Sequence, residues 1–283
     1  MKYWLNVGFL KIDQLVSVAQ AAERLGFEGI TLPDHLFFPD QIGSPYPYSV
    51  DGAVDWSLDA AWPDCWVAIG AIAQATSRLR FTTSVYVAPM RDVFTLAKAA
   101  GTTAILAGGR MSCGLGAGWM REEFDTVGED FETRGPRFDE MLQVLRLLWS
   151  GEMVEFHGDH INFDPLCMRP AAPGIPILVG GNTKPALRRA AANDGWIGTY
   201  TDLDDVTRMI GELKDLRARV NRSGEPFELL VAATPGASRD AEALDQLGVE
   251  GMIIPAVALA PPTTTTSGDV IAGLERFAER RMS

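Results

Sequence analysis

The amino-acid sequence predicts an α/β fold, a (β/α)₈ barrel in which parallel strands, each followed by a helix, close on themselves. Three observations carry this. Short apolar strands alternate with amphipathic helices along the chain, which is the pattern of parallel β/α construction. Eight such units can be laid out in order, and eight close most naturally into a barrel. The first glycine-rich segment follows the fourth strand, whereas an open doubly wound sheet with a dinucleotide fingerprint would carry it after the first. At 283 residues, 47% hydrophobic and 22% charged, the chain has barrel size and can bury a large core without disulfides or metals. No linker divides it, so residues 1–283 read as one domain with insertion segments after strands two and four.

The elements follow in order. Tyr3 to Phe9 is strand one. The next helix puts Leu15, Val18, Ala19, Ala22 and Leu25 on one face, and Gly26 stands where a left-handed C-cap is wanted. Strand two is Gly29–His35, GITLPDH, ending in polar residues. Pro63 to Ser77 predicts a helix, with proline in its first turn and apolar spacing beyond. Leu79 to Val87, rich in Thr, Val and Tyr, is strand three. Asp92 to Leu106 is helical, Gly108-Gly109 ends it, and Met111 to Leu115 is strand four. Pro136 to Trp149 predicts a helix with Asp139 and Glu140 in the first turn. Phe138, Met141, Leu142, Leu145 and Leu148 line one face of it, and Gly151 stops it. Ile175 to Val179 is strand five, with a helix from Thr183 to Asn193. Trp196 to Thr199 is strand six, with a helix from Asp204 to Val220. Phe227 to Ala233 and Met252 to Pro255 are strands seven and eight, followed by helical Asp240–Leu247 and Val270–Arg280. The low-complexity stretch PPTTTTSG, Pro261–Gly268, reads as a mobile loop.

Composition excludes several function classes. The formal net charge of -12 repels nucleic acid and anionic membranes, so an anionic ligand must be held by a local site. Cys65, Cys113 and Cys167 are odd in number and contain no CxxC, which argues against a disulfide framework or a zinc ribbon. The start, MKYWLNVGF, lacks a signal peptide's apolar region, and no apolar stretch is long enough to span a bilayer. A cytoplasmic protein is expected.

In a barrel, chemistry belongs to the loops after the strands, with a phosphate site expected after strands seven and eight. The loop from Leu36 to Trp62 holds Phe37, Phe38, Tyr46, Tyr48 and Trp56. It reads as an aromatic wall over the site or, equally, as a surface insertion or dimer contact. GLGAGW, Gly114–Trp119, ends strand four; its glycines allow backbone N–H groups to approach a ligand, or serve tight barrel packing. VGGNTKP, Val179–Pro185, frees the backbone at Gly180-Gly181, offers Asn182 or Thr183 as a cap, and opens a helix. With Lys184, Arg188 and Arg189 it has what a phosphate needs, or else it is a routine strand-to-helix turn with solvated cations. In PDH, Pro33–His35, a histidine beside a carboxylate suits proton transfer, or else Asp34 caps and His35 packs. Ser84 and Val85 in strand three point to alternate faces unless the strand is kinked. HGDH, His157–His160, has metal-ligand spacing but no third ligand, and its flanks read as a hairpin. No P-loop, GxSxG or HExxH appears.

These residues, in this order, resemble the luciferase-like monooxygenase superfamily, and within it the actinobacterial F420-dependent oxidoreductases. The resemblance rests on AAERLGFEGITLPDH, IGSPYPYS, TSVYVAPMRD, LAGGRMSCGLGAGWMREEF, RGPRFDEMLQVLRLLW and ILVGGNTKPALRRAA followed by DGW. It runs from strand one to about Gly198. It implies a barrel with the cofactor across its C-terminal mouth, and a non-proline cis peptide forming a bulge at Ser84-Val85 that backs the flavin or deazaflavin ring. By the same resemblance Asp34 contacts the ring and His35 lies near the redox centre. Ala117, Gly118 and Trp119 hold the ribityl or phosphate region, and Gly180, Gly181 and Asn182 form the phosphate turn. The glycines thus place the phosphate after strands four and five. A homodimer is also implied. One position departs from the pattern: sugar-phosphate dehydrogenases of the deazaflavin branch carry a catalytic Glu directly after the strand-four glycines, where this chain has Trp119. Glu122 and Glu123 come a helical turn later.

The leading expectation is an enzyme moving a hydride between coenzyme F420 and a small organic substrate, with His35 as the candidate for proton handling. The first alternative keeps the fold and uses reduced FMN and oxygen as a monooxygenase. The second is a non-catalytic cofactor-binding barrel. A cofactor-free aldolase or isomerase would want a Schiff-base lysine or metal ligands at strand ends, and neither is found.

Overall fold

The structure, a computed structural model, describes residues 1–49, 51–54, 56, 59–234, 237–260 and 266–282. The strands are β1 (Lys2–Asn6), β2 (Gly29–Leu32), β3 (Arg80–Thr83), β4 (Tyr86–Val87), β5 (Cys113–Gly116), β6 (Val154–His157), β7 (Asn162–Leu166), β8 (Ile177–Gly180), β9 (Gly195–Thr199), β10 (Glu228–Ala232) and β11 (Gly251–Pro255). The α-helices are α1 (Leu15–Leu25), α2 (Cys65–Gln74), α3 (Val93–Leu106), α4 (Arg121–Val127), α5 (Arg134–Ser150), α6 (Lys184–Ala191), α7 (Leu203–Arg219), α8 (Ala241–Gln246) and α9 (Ser267–Arg281). One parallel sheet of nine strands runs β3-β2-β1-β11-β10-β9-β8-β5-β4. β3 and β4 are the two halves of the third barrel strand, and a parallel bridge from Phe81 to Met111 carries β3 across to the start of the fourth. The sheet is thus a nearly closed (β/α)₈ barrel. β6 and β7 form the hairpin expected around HGDH.

The period-two pattern of each strand sorts its side chains to two cores. Trp4, Leu178, Ile197, Leu230 and Ile253 form the inner cluster, with Val85 and Ala232 packed on it. Their sequence neighbours Tyr3, Leu5, Ile177, Val179, Trp196, Leu229, Val231, Met252 and Ile254 face the helices. Trp4 fills the barrel because Gly29 opposes it: a Cβ there would lie 2.4 Å from the indole. Arg80 stacks over the same indole, 5.1 Å from its centroid, and pairs with both oxygens of Glu228 at 2.7 and 2.8 Å. The barrel is thereby sealed at the N-terminal ends of its strands, and open space collects at the other end.

Several boundaries move for identifiable reasons. Strand one stops at Asn6, whose side chain accepts the Gly8 N–H at 2.8 Å and starts a turn. Strand two stops at Leu32, before Pro33. The helix expected from Pro63 begins at Cys65, capped by Asp64, which accepts the Val67 N–H at 2.9 Å. The helix expected from Pro136 begins at Arg134, so Asp139 and Glu140 lie beyond its first turn. Asp139 pairs instead with Arg189. Glu140 accepts the N–H groups of Asp159, His160 and Ile161 and so holds the hairpin turn. Of the Thr-rich stretch, residues 261–265 lie outside the described residues; Thr266 caps α9, and Ser267 and Gly268 belong to that helix. Among the described residues no helix is long and apolar enough to cross a membrane.

Candidate active site

A cavity of about 1720 Å³ occupies the C-terminal mouth of the barrel. Asp34, His35, Ser84, Val85, Ala117, Gly118, Trp119, Gly180, Gly181 and Asn182 all line it, so the ten residues singled out along the sequence meet in one place. They come from loops far apart in the chain, which a barrel converges on one face.

The floor is the break in strand three. The Ser84–Val85 peptide is cis, and this kink separates β3 from β4. Val85 packs between two strand-end glycines. A Cβ at Gly116 would lie 2.5 Å from its Cγ2, and one at Gly180 2.3 Å from its Cγ1. Ser84 donates its hydroxyl to Thr31 Oγ1 at 3.1 Å. Asp34 ties the kink to the loop after β2: it accepts from Val87 N at 2.9 Å and from Arg91 Nη2 at 2.7 Å. Burial pushes its pKa up, with Arg91 and the Val87 N–H opposing that shift. Both carboxylate oxygens are therefore engaged within the protein.

His35 stands directly after this carboxylate but takes a different partner. Its Nδ1 lies 2.8 Å from Glu123 Oε2, and the second oxygen of Glu123 accepts the Leu36 N–H at 2.8 Å. Both side chains are buried, with 7% and 2% of their surface exposed. Around the imidazole stand Trp62, Trp56 and Trp119, at 4.6, 5.7 and 6.0 Å between centroids. Tyr46 packs edge-on against Trp56 and Trp119, and Phe9 against Trp62. The loop after β2 therefore presents aromatic side chains to the cavity, while Phe38 supports Trp56 from behind the lining. Residues 50, 55, 57 and 58 of that loop lie outside the described residues.

The neighbouring helix fixes this wall. Glu122 Oε1 accepts the N–H groups of Gly43 and Ser44 at 2.7 and 3.0 Å, and Ser44 Oγ accepts the Arg121 N–H at 3.0 Å. Burial works against ionisation of Glu122, yet the Ser44 hydroxyl and the backbone N–H donors outweigh it and hold its pKa low.

At the turn of Gly180, Gly181 and Asn182, Thr183 and not Asn182 caps α6, accepting the Ala186 N–H at 3.4 Å. Asn182 bridges to the next strand end, donating to Thr199 O at 2.8 Å and accepting from Thr199 N at 3.0 Å. The start of α6 borders the cavity through Thr183, Pro185 and Ala186. Arg121, Arg134, Arg188, Arg189 and Arg208 also line it, whereas Lys184 does not. Arg189, Arg121 and Arg208 are paired with Asp139, Glu132 and Asp205. Arg134 donates to the carbonyls of Gly118 and Phe131 and lies over the Phe131 ring at 3.6 Å, and burial lowers its pKa. Among the described residues Arg188 makes no ion pair.

Sequence reasoning gave no site role to Glu123, Arg134, Trp62 or Phe9. Phe9 carries no local signal, because only the closed barrel brings it to the mouth, whereas Trp62 ends the loop read as an aromatic wall. Glu123 had one: it stands in the first turn of the helix that follows the strand-four glycines, within the insertion segment after strand four.

The sequence profile of the luciferase-like monooxygenase family matches residues 5–268. An uncharacterized protein of Mycobacterium tuberculosis is 35% identical over 268 residues, 93% of this chain and 93% of its own length. An F420-dependent hydroxymycolic acid dehydrogenase of the same organism is 31% identical over 201 residues, 69% of this chain and 51% of that protein. An FMNH₂-dependent dimethylsulfone monooxygenase of Pseudomonas fluorescens is 30% identical over 153 residues, 53% of this chain and 41% of that protein. Among solved structures, a monooxygenase from Streptomyces bottropensis has a TM-score of 0.78 at 17% identity, covering 100% of this chain and 99% of the other. An F420-dependent secondary alcohol dehydrogenase in complex with an F420–acetone adduct has a TM-score of 0.73 at 17% identity, covering 99% and 98%. These structural likenesses establish a shared barrel. The profile match spans almost the whole of that barrel, and the chain belongs to the luciferase-like monooxygenase family.

Proposed function

We propose that this protein is an oxidoreductase that moves a hydride between coenzyme F420 and a small organic substrate. The observation that carries the reading is the convergence, in one cavity, of an apolar floor and an anion-receiving edge. Val85, held between Gly116 and Gly180, gives a tricyclic ring a side-chain platform with no room for a competing Cβ. Gly181, the capped start of α6 and the unpaired Arg188 give a phosphate backbone dipoles and a cation. In a chain of net charge -12, Arg134 and Arg188 are the cavity arginines that carry no ion pair among the described residues, and they are the cations an anionic cofactor would use.

In this reading Ser84 and Val85 back the ring, and Asp34 keeps that backbone in place. Ala117, Gly118 and Trp119 flank the side chain of the cofactor, and Gly180, Gly181 and Asn182 border its phosphate. Bound there, the deazaflavin supplies the centre that gives or takes the hydride. His35 is the protein's proton-handling group at the cavity wall, and the aromatic wall keeps water from it. Similarity to the F420-dependent hydroxymycolic acid dehydrogenase supports the choice of cofactor. The same floor and phosphate turn suit FMN, and similarity to the dimethylsulfone monooxygenase favours that second reading, with oxygen as co-substrate.

Titration of the purified protein with F420 and, separately, with FMN decides between them. Trp119 lines the cavity, so binding should quench tryptophan fluorescence. Tight binding of F420 with weak binding of FMN is the expected result. The reverse preference makes the monooxygenase the working reading, and binding of neither ends the cofactor assignment. Turnover of an artificial acceptor by the loaded protein separates either enzyme from a storage barrel, which would show none.

A further inference from the structure

We propose that Glu123 is the positioning residue of this site: it fixes the proton of His35 on Nδ1 and so leaves Nε2 as the atom that accepts a proton. The inference deepens the oxidoreductase reading and rests on it for what the proton transfer accomplishes, but its geometry stands on the chain alone.

The argument starts from donors and acceptors. The two oxygens of Glu123 meet two nitrogens, Leu36 N on Oε1 and His35 Nδ1 on Oε2, both at 2.8 Å. A backbone N–H can only donate, so Oε1 must accept. An ionised carboxylate is acceptor-only, so Oε2 accepts as well, and the imidazole must present Nδ1–H to it. A neutral imidazole then carries its lone pair on Nε2. No other hydrogen bond holds the ring among the described residues; the remaining contacts are the edges and faces of Trp56, Trp62 and Trp119. The neighbouring Asp34 pairs with Arg91, and both its oxygens are already taken. Among the described residues Glu123 is thus the group that decides which ring nitrogen is protonated, although it stands 88 residues away in the chain. When Nε2 takes a proton, the same carboxylate faces the resulting cation at hydrogen-bond distance in a nearly dry setting, where an ion pair is strong.

The glutamine variant turns this into a sharp test. In Glu123→Gln one oxygen becomes an NH₂ group. The surviving oxygen must go to Leu36 N, which cannot accept, and the NH₂ then faces Nδ1, which can. The imidazole is forced into the opposite tautomer, Nε2–H, with size and packing preserved. The chain has three histidines, His35, His157 and His160, so nitrogen-15 NMR of histidine-labelled protein resolves the ring nitrogens directly, with His35→Ala assigning the signals. At a pH where the ring is neutral, the wild-type protein should show Nδ1–H at His35, and Glu123→Gln should show Nε2–H. An Nε2–H tautomer in the wild-type protein, or an unchanged tautomer in the variant, overturns the proposal. The wild-type spectrum decides even if the variant does not fold.

Kinetics gives a second readout. Positioned proton transfer contributes ~10²–10⁴-fold to a rate. Glu123→Gln should lower kcat by at least about 10²-fold, with KM and cofactor Kd changing little. A residue that only braces the Leu36 loop would raise KM and leave the tautomer alone. The NMR experiment needs no cofactor, so the two readings fail separately. F420 binding with the wrong tautomer sinks the role of Glu123 only. The expected tautomers without binding of any flavin sink the oxidoreductase reading only.

Discussion

A Cβ added at Gly180 would lie 2.3 Å from one methyl of Val85, and a Cβ at Gly116 would lie 2.5 Å from the other. Neither methyl can swing away cheaply, because a β-branched side chain is stiff at χ1 and Val85 is also part of the inner barrel cluster. Gly180→Ala should therefore act as an overpacking change, costing about 1–3 kcal/mol, and should displace Val85 into the cavity. The expected outcome is a lower Tm and a loss of cofactor affinity of at least tenfold in the fluorescence titration. Val85→Ala in the same chain should recover most of the Tm loss, since the methyl in conflict is then gone. Independent, additive Tm losses in the double variant would show that Val85 is not what the added methyl meets. His35 makes the opposite kind of prediction. Its contact with the protein is one hydrogen bond and a set of ring edges, so His35→Ala should leave cofactor affinity within severalfold while cutting turnover by ~10²-fold or more. Near-normal turnover would remove His35 from the mechanism.

At the scale of elements, the site is assembled by a clamp: one turn of α4 grips the loop after β2 at two points. Glu123 holds Leu36 at its start, and Glu122 holds Gly43 and Ser44 further on. The aromatic wall follows from this, because Tyr46 comes two residues after the second tether and packs edge-on against Trp56 and Trp119. Glu122→Ala should leave the barrel intact and loosen the wall. Amide exchange at Gly43 and Ser44 should speed up by roughly tenfold or more, as loss of an ionised acceptor costs about 1.5–3 kcal/mol when buried and less at this half-exposed position. Protection unchanged by the substitution would mean that the loop is held by its aromatic packing instead. This clamp marks the limit of what the sequence makes legible. Local periodicity exposes α1, α3 and α7 almost to the residue, and capping chemistry exposes Gly26 and Gly151 as helix stops, since those signals lie within a turn of the feature they report. Glycine pairs likewise betray the strand ends that line the cavity. Nothing local tells that Glu140 faces a hairpin turn 19 to 21 residues on, or that Glu123 faces His35. A carboxylate early in a helix looks the same whether it complements the dipole or crosses to another loop, and only the closure of the barrel decides.

For the whole molecule, the recurring device is a carboxylate that ties two distant elements through backbone N–H groups, and it sets how the fold responds to acid. Glu23 at the end of α1 accepts from Ser77, Arg78 and Leu79 ahead of β3. Glu122 holds the aromatic loop and Glu140 the hairpin. Asp194 joins Ile177 N to Arg146 and Arg222. In each, burial resists ionisation and the N–H donors or cations outweigh it, so the folded pKa lies below its ordinary 4.5 or, for Asp194, 3.8. A depressed pKa means that the unfolded chain binds more protons in this range. The stability these four groups contribute is complete above pH ~5 and is lost as pH falls through the folded values. Two effects run the other way. Asp34 and Glu250 have raised pKa values, mainly through burial, so protonating them on mild acidification relieves a cost of keeping them ionised. The net charge of -12 also shrinks as pH falls toward the isoelectric point near 4.7, which reduces self-repulsion. Together these place the stability maximum on the acid side of neutrality, with a steep loss below about pH 4. Tm measured from pH 8 to pH 3 should rise slightly, pass a maximum between about pH 5 and 6, and then collapse. Added salt should raise Tm at pH 8, where repulsion is largest and a Debye length of ~10 Å at 0.1 M screens it, and should do little at the maximum. Glu140→Gln should flatten the acid limb while lowering Tm at neutral pH, because an amide oxygen accepts fewer of the three turn N–H groups and cannot titrate. A Tm that holds steady down to pH 3 would show that these ties contribute nothing to the fold.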